Sequence, residues 1–198
     1  MTEQEVFILA DEALLRVVEQ ITDDQWDLAV PIEMTPRLPG STLRQVIAYH
    51  AWDDAWVPDT LAGKTIEEVG DAHGDRQDDL LGDEPQATFA AIVAAAVSAV
   101  RGLTDLDRVA HLSYGDYPAR EYLKHITYFR GSRVYDISRF IGADTTMPAE
   151  LVQGLWDELV PQAEDWRKMG VFGPAVEVPA DAPLHDRLLA LTGRDPRR

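Results

Sequence analysis

Residues Ser41–Gly63, STLRQVIAYHAWDDAWVPDTLAG, decide how the chain is read. Ser41 or Thr42 offers an N-cap, and Leu43, Val46, Ile47, His50, Asp54, Val57 and Leu61 then recur at helical spacing along one stripe. Trp52 and Trp56 flank it. Pro58 is expected to kink or shorten the last turns, because proline has no amide hydrogen to give the helix. The stretch therefore reads as a helix that carries one inward-pointing histidine, His50.

Working outward, Thr2 and Glu5 fit a capping box, and Val6, Leu9, Ala13, Val17 and Ile21 continue at helical spacing, so a first helix is expected from about Glu3 to Ile21. Between it and Ser41 lie Pro31, Pro36 and Pro39, which break any helix and leave a connection packed down by Trp26. Beyond Gly63 the chain turns acidic (GDAHGDRQDDLLGDEP), a solvated loop without the ordered spacing of a calcium loop. Pro85 opens a third helix with Phe89, Ile92, Val93, Ala96, Val97 and Val100 on one face, up to Gly102. After the polar connection TDLDRVAHLSYGDYP a fourth helix is expected from about Ala119 to Ile141, stopped by Gly142. Thr146 and Pro148 open a fifth, with Leu151, Leu155, Trp156 and Leu159 facing in. The stretch VFGPAVEVPADAP is irregular, a short helix follows at Leu184–Leu191, and the tail is charged. Long helices with almost no strand alternation predict an all-α, up-and-down four-helix bundle. The expected organisation is one domain over residues 1–198, with a core at about 3–142 and a carboxy-terminal helix and irregular tail at about 146–198.

A length of 198 residues, 45% of them hydrophobic and 27% charged, suits a globular chain with a sizeable core. The net charge of -17 repels phosphate backbones and anionic lipids, so neither nucleic acid nor a membrane is an expected partner. No cysteine is present, which removes disulfides, thiolate ligands and a cysteine nucleophile; any thiol chemistry needs a thiol from outside. MTEQEVFILADEALL has no basic region and no long apolar core, and no apolar run of about 18 residues occurs. A cytoplasmic location is expected, with a small-molecule partner; the oligomeric state stays open, a homodimer being one candidate. There is no glycine-rich phosphate loop and no G-x-S-x-G elbow.

The capped helix with its inward histidine (STLRQVIAYHAWDD), the later helix ending in YDISRFIG, and the tail VFGPAVEVP with LLALTGRDP together resemble the DinB-like superfamily. More closely they resemble its actinobacterial branch, related to the amino-terminal domain of mycothiol-dependent maleylpyruvate isomerases. The similarity spans nearly the whole chain as a pattern of elements; GRDP and the surroundings of His50 are its most specific parts. It implies a four-helix bundle holding a divalent metal, zinc or nickel, through a histidine of the second helix and a Glu-x-x-x-His or His-x-x-x-His pair of a later one. Residues four apart share a helix face, so such a set makes an open site. It also implies a low-molecular-weight thiol as cofactor and isomerase or transferase chemistry.

The chain departs from that pattern. Alignment of the later motif through Asp136 leaves His50 as the family ligand but puts Phe129 and Arg133 where a carboxylate and a histidine belong. His125, one turn earlier, is a candidate displaced ligand, with His50 and one of Asp53 or Asp54. Arg133 is the one charge on the stripe Tyr122, Ile126, Phe129, Arg133, Ile137 and Phe140. Buried, it needs a carboxylate among Asp53, Asp54 and Asp136; otherwise it reaches out to solvent. A paired Arg133 would set a guanidinium where the family keeps a metal, and the pocket would then take an anion. His50 itself reads either as the old metal ligand or as a core histidine with one hydrogen bond. His73, His111 and His185 read as surface residues, and the tryptophans as core and lid packing. Two functions stay open: a metal-assisted, thiol-dependent enzyme with a degenerate site, or a non-catalytic bundle whose His50, Arg133, Trp52 and Trp56 line a pocket for a small anionic or aromatic ligand. An assembly module resting on the tryptophans and the acidic face is a third.

Overall fold

Helix α1 (Glu3–Val18) begins at a reciprocal cap: the Thr2 hydroxyl accepts the Glu5 amide at 3.2 Å, and the Glu5 carboxylate accepts the Thr2 amide at 2.8 Å. Thr42 and Gln45 repeat the arrangement at the start of α2 (Leu43–Ala55), at 3.3 and 2.9 Å. A computed structural model describes residues 1–35, 39–75 and 80–197. Pro36 of the proline-bearing connection and residues 76–79 of the acidic stretch therefore lie outside the described residues.

Helix α1 stops three residues short of Ile21, where the amides of Gln20 and Ile21 turn back onto the carbonyls of Val17 and Val18. Ile21 is still buried, so the apolar stripe outlasts the helix. Pro58 supplies no amide to the carbonyl of Asp54, and α2 gives way to a short α3 (Val57–Leu61). A further turn, α4 (Ile66–Val69), has its own capping box from Thr65 and Glu68. Helix α5 (Pro85–Gly102) starts on its proline. Helix α6 (Ala119–Ile141) ends at Gly142, whose φ of 74° is the left-handed conformation glycine adopts at helix stops.

The connection before α6 departs from the expected absence of strands. Val109–Leu112 (β1) and Gly115–Pro118 (β2) pair antiparallel, with Leu112 opposite Gly115 across a two-residue turn. Each strand is only four residues long and only Ala110 is buried, so there is no alternation to read.

The chain is mostly helical and its class is all-α. It divides into two compact units, Thr2–Thr145 and the residues from Thr146 onward. In the first, α1 packs on α6 and α5, α2 packs on α5, and α3 packs on α5 and β1. Phe7, Val57, Leu61, Ala96, Val100, Leu123 and Ile126 form one continuous apolar cluster there. Trp26 is buried and holds the connection down, which also runs beside the start of α2: the amides of Val30 and Leu43 meet the carbonyls of Ser41 and Leu28, both at 2.9 Å.

In the second unit, α7 (Ala149–Leu159) and α9 (Leu184–Leu191) pack together, with α8 (Ala163–Lys168) between them in sequence. Leu151, Leu155 and Leu159 are buried, whereas Trp156 is half-buried beneath the Arg187 guanidinium, 4.6 Å from its ring. Gly193 (φ 89°) abuts Gly173: a Cβ at Gly193 would meet the Gly173 backbone at 2.8 Å. The glycines of the VFGP and GRDP segments thus meet each other. No helix among the described residues is long and apolar enough to cross a membrane.

Candidate functional site

His50, Asp53 and Asp54 lie three and four residues apart and so share one face of α2. Opposite them, α6 presents Arg130, which is fully buried. Its Nε donates to Asp54 Oδ1 at 2.7 Å, and its Nη2 also reaches Asp54 Oδ1. Its Nη1 donates to Asp53 Oδ2 at 3.0 Å and to the Ile126 carbonyl at 2.9 Å. From α1, Asp11 Oδ1 stands 2.8 Å from the same Nε, whose single N–H is already aimed at Asp54; that contact is Coulombic, not a hydrogen bond. The Phe7 ring covers the guanidinium at 5.0 Å.

One guanidinium therefore serves three carboxylates, and the charges do not balance. Burial, and then the negative charge of Asp54, push the Asp11 carboxyl well above its ordinary range. Burial also pushes Asp54 up to about 6, against the pull of Arg130. Burial works against the charge on Arg130 as well, but Asp54, Asp11 and Asp53 more than reverse it. Asp11 and Asp54 therefore titrate as a pair, each raised by burial and each opposed by the charge of Arg130. Neither Asp11 oxygen nor Asp54 Oδ2 has a hydrogen-bond partner among the described residues.

One turn further along α6, Arg133 Nε donates to His50 Nε2 at 3.3 Å, and Arg133 Nη1 donates to Asp136 Oδ2 at 3.2 Å. His50 is buried. Its Nε2 is the acceptor, so its proton sits on Nδ1, which has no partner among the described residues. Burial, then the charges of Arg133 and Arg130, push the His50 pKa well below its ordinary value and keep the imidazole neutral. Of the three carboxylates expected for Arg133, Asp136 is the one it meets; Asp53 and Asp54 belong to Arg130.

The inward stripe of α6 needs correction. Phe129 is 43% exposed, so it is not part of an inward stripe. The buried cation is Arg130, four residues after Ile126, and Arg133 stands at the edge with 18% of its side chain exposed. His125 lies elsewhere: its Nδ1 is 3.3 Å from the Tyr114 hydroxyl and its ring is edge-on to Tyr117 at 5.0 Å, in a cluster with the hairpin. Trp52 and Trp56 also have other neighbours. Tyr49, Trp52, Trp56 and His73 form a ladder of ring contacts, and Trp52 Nε1 donates to the Gly74 carbonyl at 3.2 Å. His73 Nε2 is 2.8 Å from Asp59 Oδ2, so His73 is more than a surface residue.

Among the described residues no three His, Asp or Glu side chains are grouped so as to hold a metal ion. The Nε2 lone pair of His50 already accepts a guanidinium N–H, Nδ1 carries the proton, and the nearest charge is positive. A divalent cation does not fit that set. Comparison with protein-family models, with curated proteins and with solved structures returns no match.

Proposed function

We propose that the chain is a DinB-like four-helix bundle, built from α1, α2, α5 and α6, in which a guanidinium–imidazole pair stands where the family it resembles keeps its metal. On this reading it is a non-catalytic binder of a small anionic or aromatic compound, received beside Arg133. The observation that carries it is the hydrogen bond from Arg133 Nε to His50 Nε2. That bond uses the one imidazole lone pair a metal would need and puts a positive charge in its place. A carboxylate ligand would meet Arg133 by exchanging with Asp136.

The test is metal content by mass spectrometry on untagged protein offered zinc and nickel, for the wild type and for His50→Ala. Both are expected to hold no stoichiometric metal. Close to one equivalent in the wild type, lost in His50→Ala, overturns the proposal in favour of a metal-assisted, thiol-dependent isomerase or transferase.

A further inference from the structure

Asp59, at the turn of α3, accepts from two donors at once: Lys64 Nζ at 2.6 Å on Oδ1, and His73 Nε2 at 2.8 Å on Oδ2. Those hydrogen bonds, from Lys64 first and His73 second, hold its carboxyl below the ordinary range. In the uncharged ring the carboxylate fixes the tautomer, with the proton on Nε2 and a lone pair on Nδ1. The ring is held from its other side by Trp56, edge-on at 5.0 Å, and the following residue by Trp52, which donates to the Gly74 carbonyl. No described residue occupies His73 Nδ1. The imidazole lines an open cavity of about 390 Å³, whose other walls among the described residues are Asp59, the Thr88 side chain, and the apolar Ala55, Pro58, Ala91, Ile92 and Ala95. That volume is at the small end of ligand pockets, and small flat walls suit a ring.

We infer that this cavity binds a small neutral aromatic compound bearing one hydroxyl group, a phenol, whose O–H donates to His73 Nδ1. The charges at the rim decide the class. An anion would face the Asp59 carboxylate in a chain of net charge -17. A cation would find that carboxylate already taken by Lys64 and His73. A neutral donor on an apolar body uses both the lone pair and the walls. The inference is independent of the guanidinium–imidazole pair, and the metal measurement does not bear on it.

The test is titration of the full chain with 4-cresol and with toluene, which has the same ring and methyl group but no hydroxyl, followed by amide and His73 imidazole chemical shifts. Shifts centred on His73 and on Ala91–Ala95 are expected, with 4-cresol binding about tenfold more tightly than toluene. In His73→Phe the ratio should fall to about one. In Ala91→Phe, an exposed helix position where the added ring fills the cavity, both should cease to bind. Equal affinities in the wild type, a ratio that survives His73→Phe, or no saturable shift with 4-cresol overturns the inference.

Discussion

Arg130 and Arg133 are three residues apart on one helix, and they use the same side chain in opposite ways. Arg130 is sealed among Asp11, Asp53, Asp54 and the Phe7 ring, with no exposed surface. Arg133 stands at the edge, with donors aimed at the neutral imidazole of His50 and at Asp136. The difference separates a buried structural cation from one that, on the proposed reading, marks a site. The largest effect should therefore come from Arg130→Met, which leaves the buried Asp11 and Asp54 around a place where water cannot reach them, with Asp53 at its edge. A loss of about 3–5 kcal/mol is expected in urea unfolding. A loss below ~1 kcal/mol would mean that the carboxylates find other partners and that the two arginines are equivalent.

A pH series sharpens the same comparison, because the excess of carboxylates over cations lies on the Arg130 side. A carboxyl whose pKa is raised by folding binds its proton more tightly in the native state. Its contribution to stability is complete below the ordinary value of 3.8 and is lost as pH rises through the folded value, about 6 for Asp54, with Asp11 also raised. Stability should then fall between about pH 4 and pH 6 as Asp54 ionises, by roughly 1–3 kcal/mol. Asp11→Asn keeps the shape without a charge to suppress, so its urea midpoint should change less over that range. A wild-type midpoint that is flat or rising, or an Asp11→Asn slope equal to that of the wild type, would contradict this account.

How legible these two layers were in the sequence depends on how local their causes are. The capping pairs Thr2–Glu5 and Thr42–Gln45, Pro85 and Gly142 act within one turn, and the helices they bound appear where they were expected. The hairpin has no such signal, since four residues are too few for a period of two. The arginine was harder. From Ile126, both three residues to Phe129 and four residues to Arg130 satisfy a helical stripe, so periodicity on α6 alone does not choose. The choice lies on α1, where Asp11 sits among Phe7, Ala10 and Leu14, all buried. An aspartate on an apolar stripe asks for a buried cation on whatever helix packs there. Asp11 was the readable sign of Arg130, but only long-range packing of α1 on α6 says which arginine answers it. The Asp59–His73 pair is equally non-local, since it depends on how the chain after α4 folds back over α3.

The smallest effect should come from Arg133→Met. Arg133 gives up one hydrogen bond to a neutral acceptor and one to a partly exposed carboxylate, so a stability change of about 1 kcal/mol or less is expected. The informative readout is His50 itself. In the wild type its 15N spectrum should show the Nδ1–H tautomer, and its titration should lie well below the ordinary histidine range. Burial is the larger cause of that depression and the Arg133 charge the second, so Arg133→Met should raise the pKa only part of the way. The substitution also frees the Nε2 lone pair, and the tautomers should begin to exchange. If the wild type already showed the Nε2–H tautomer, the imidazole could not be accepting from Arg133. If Arg133→Met cost as much stability as Arg130→Met, Arg133 would be a second structural cation and not the mark of a site.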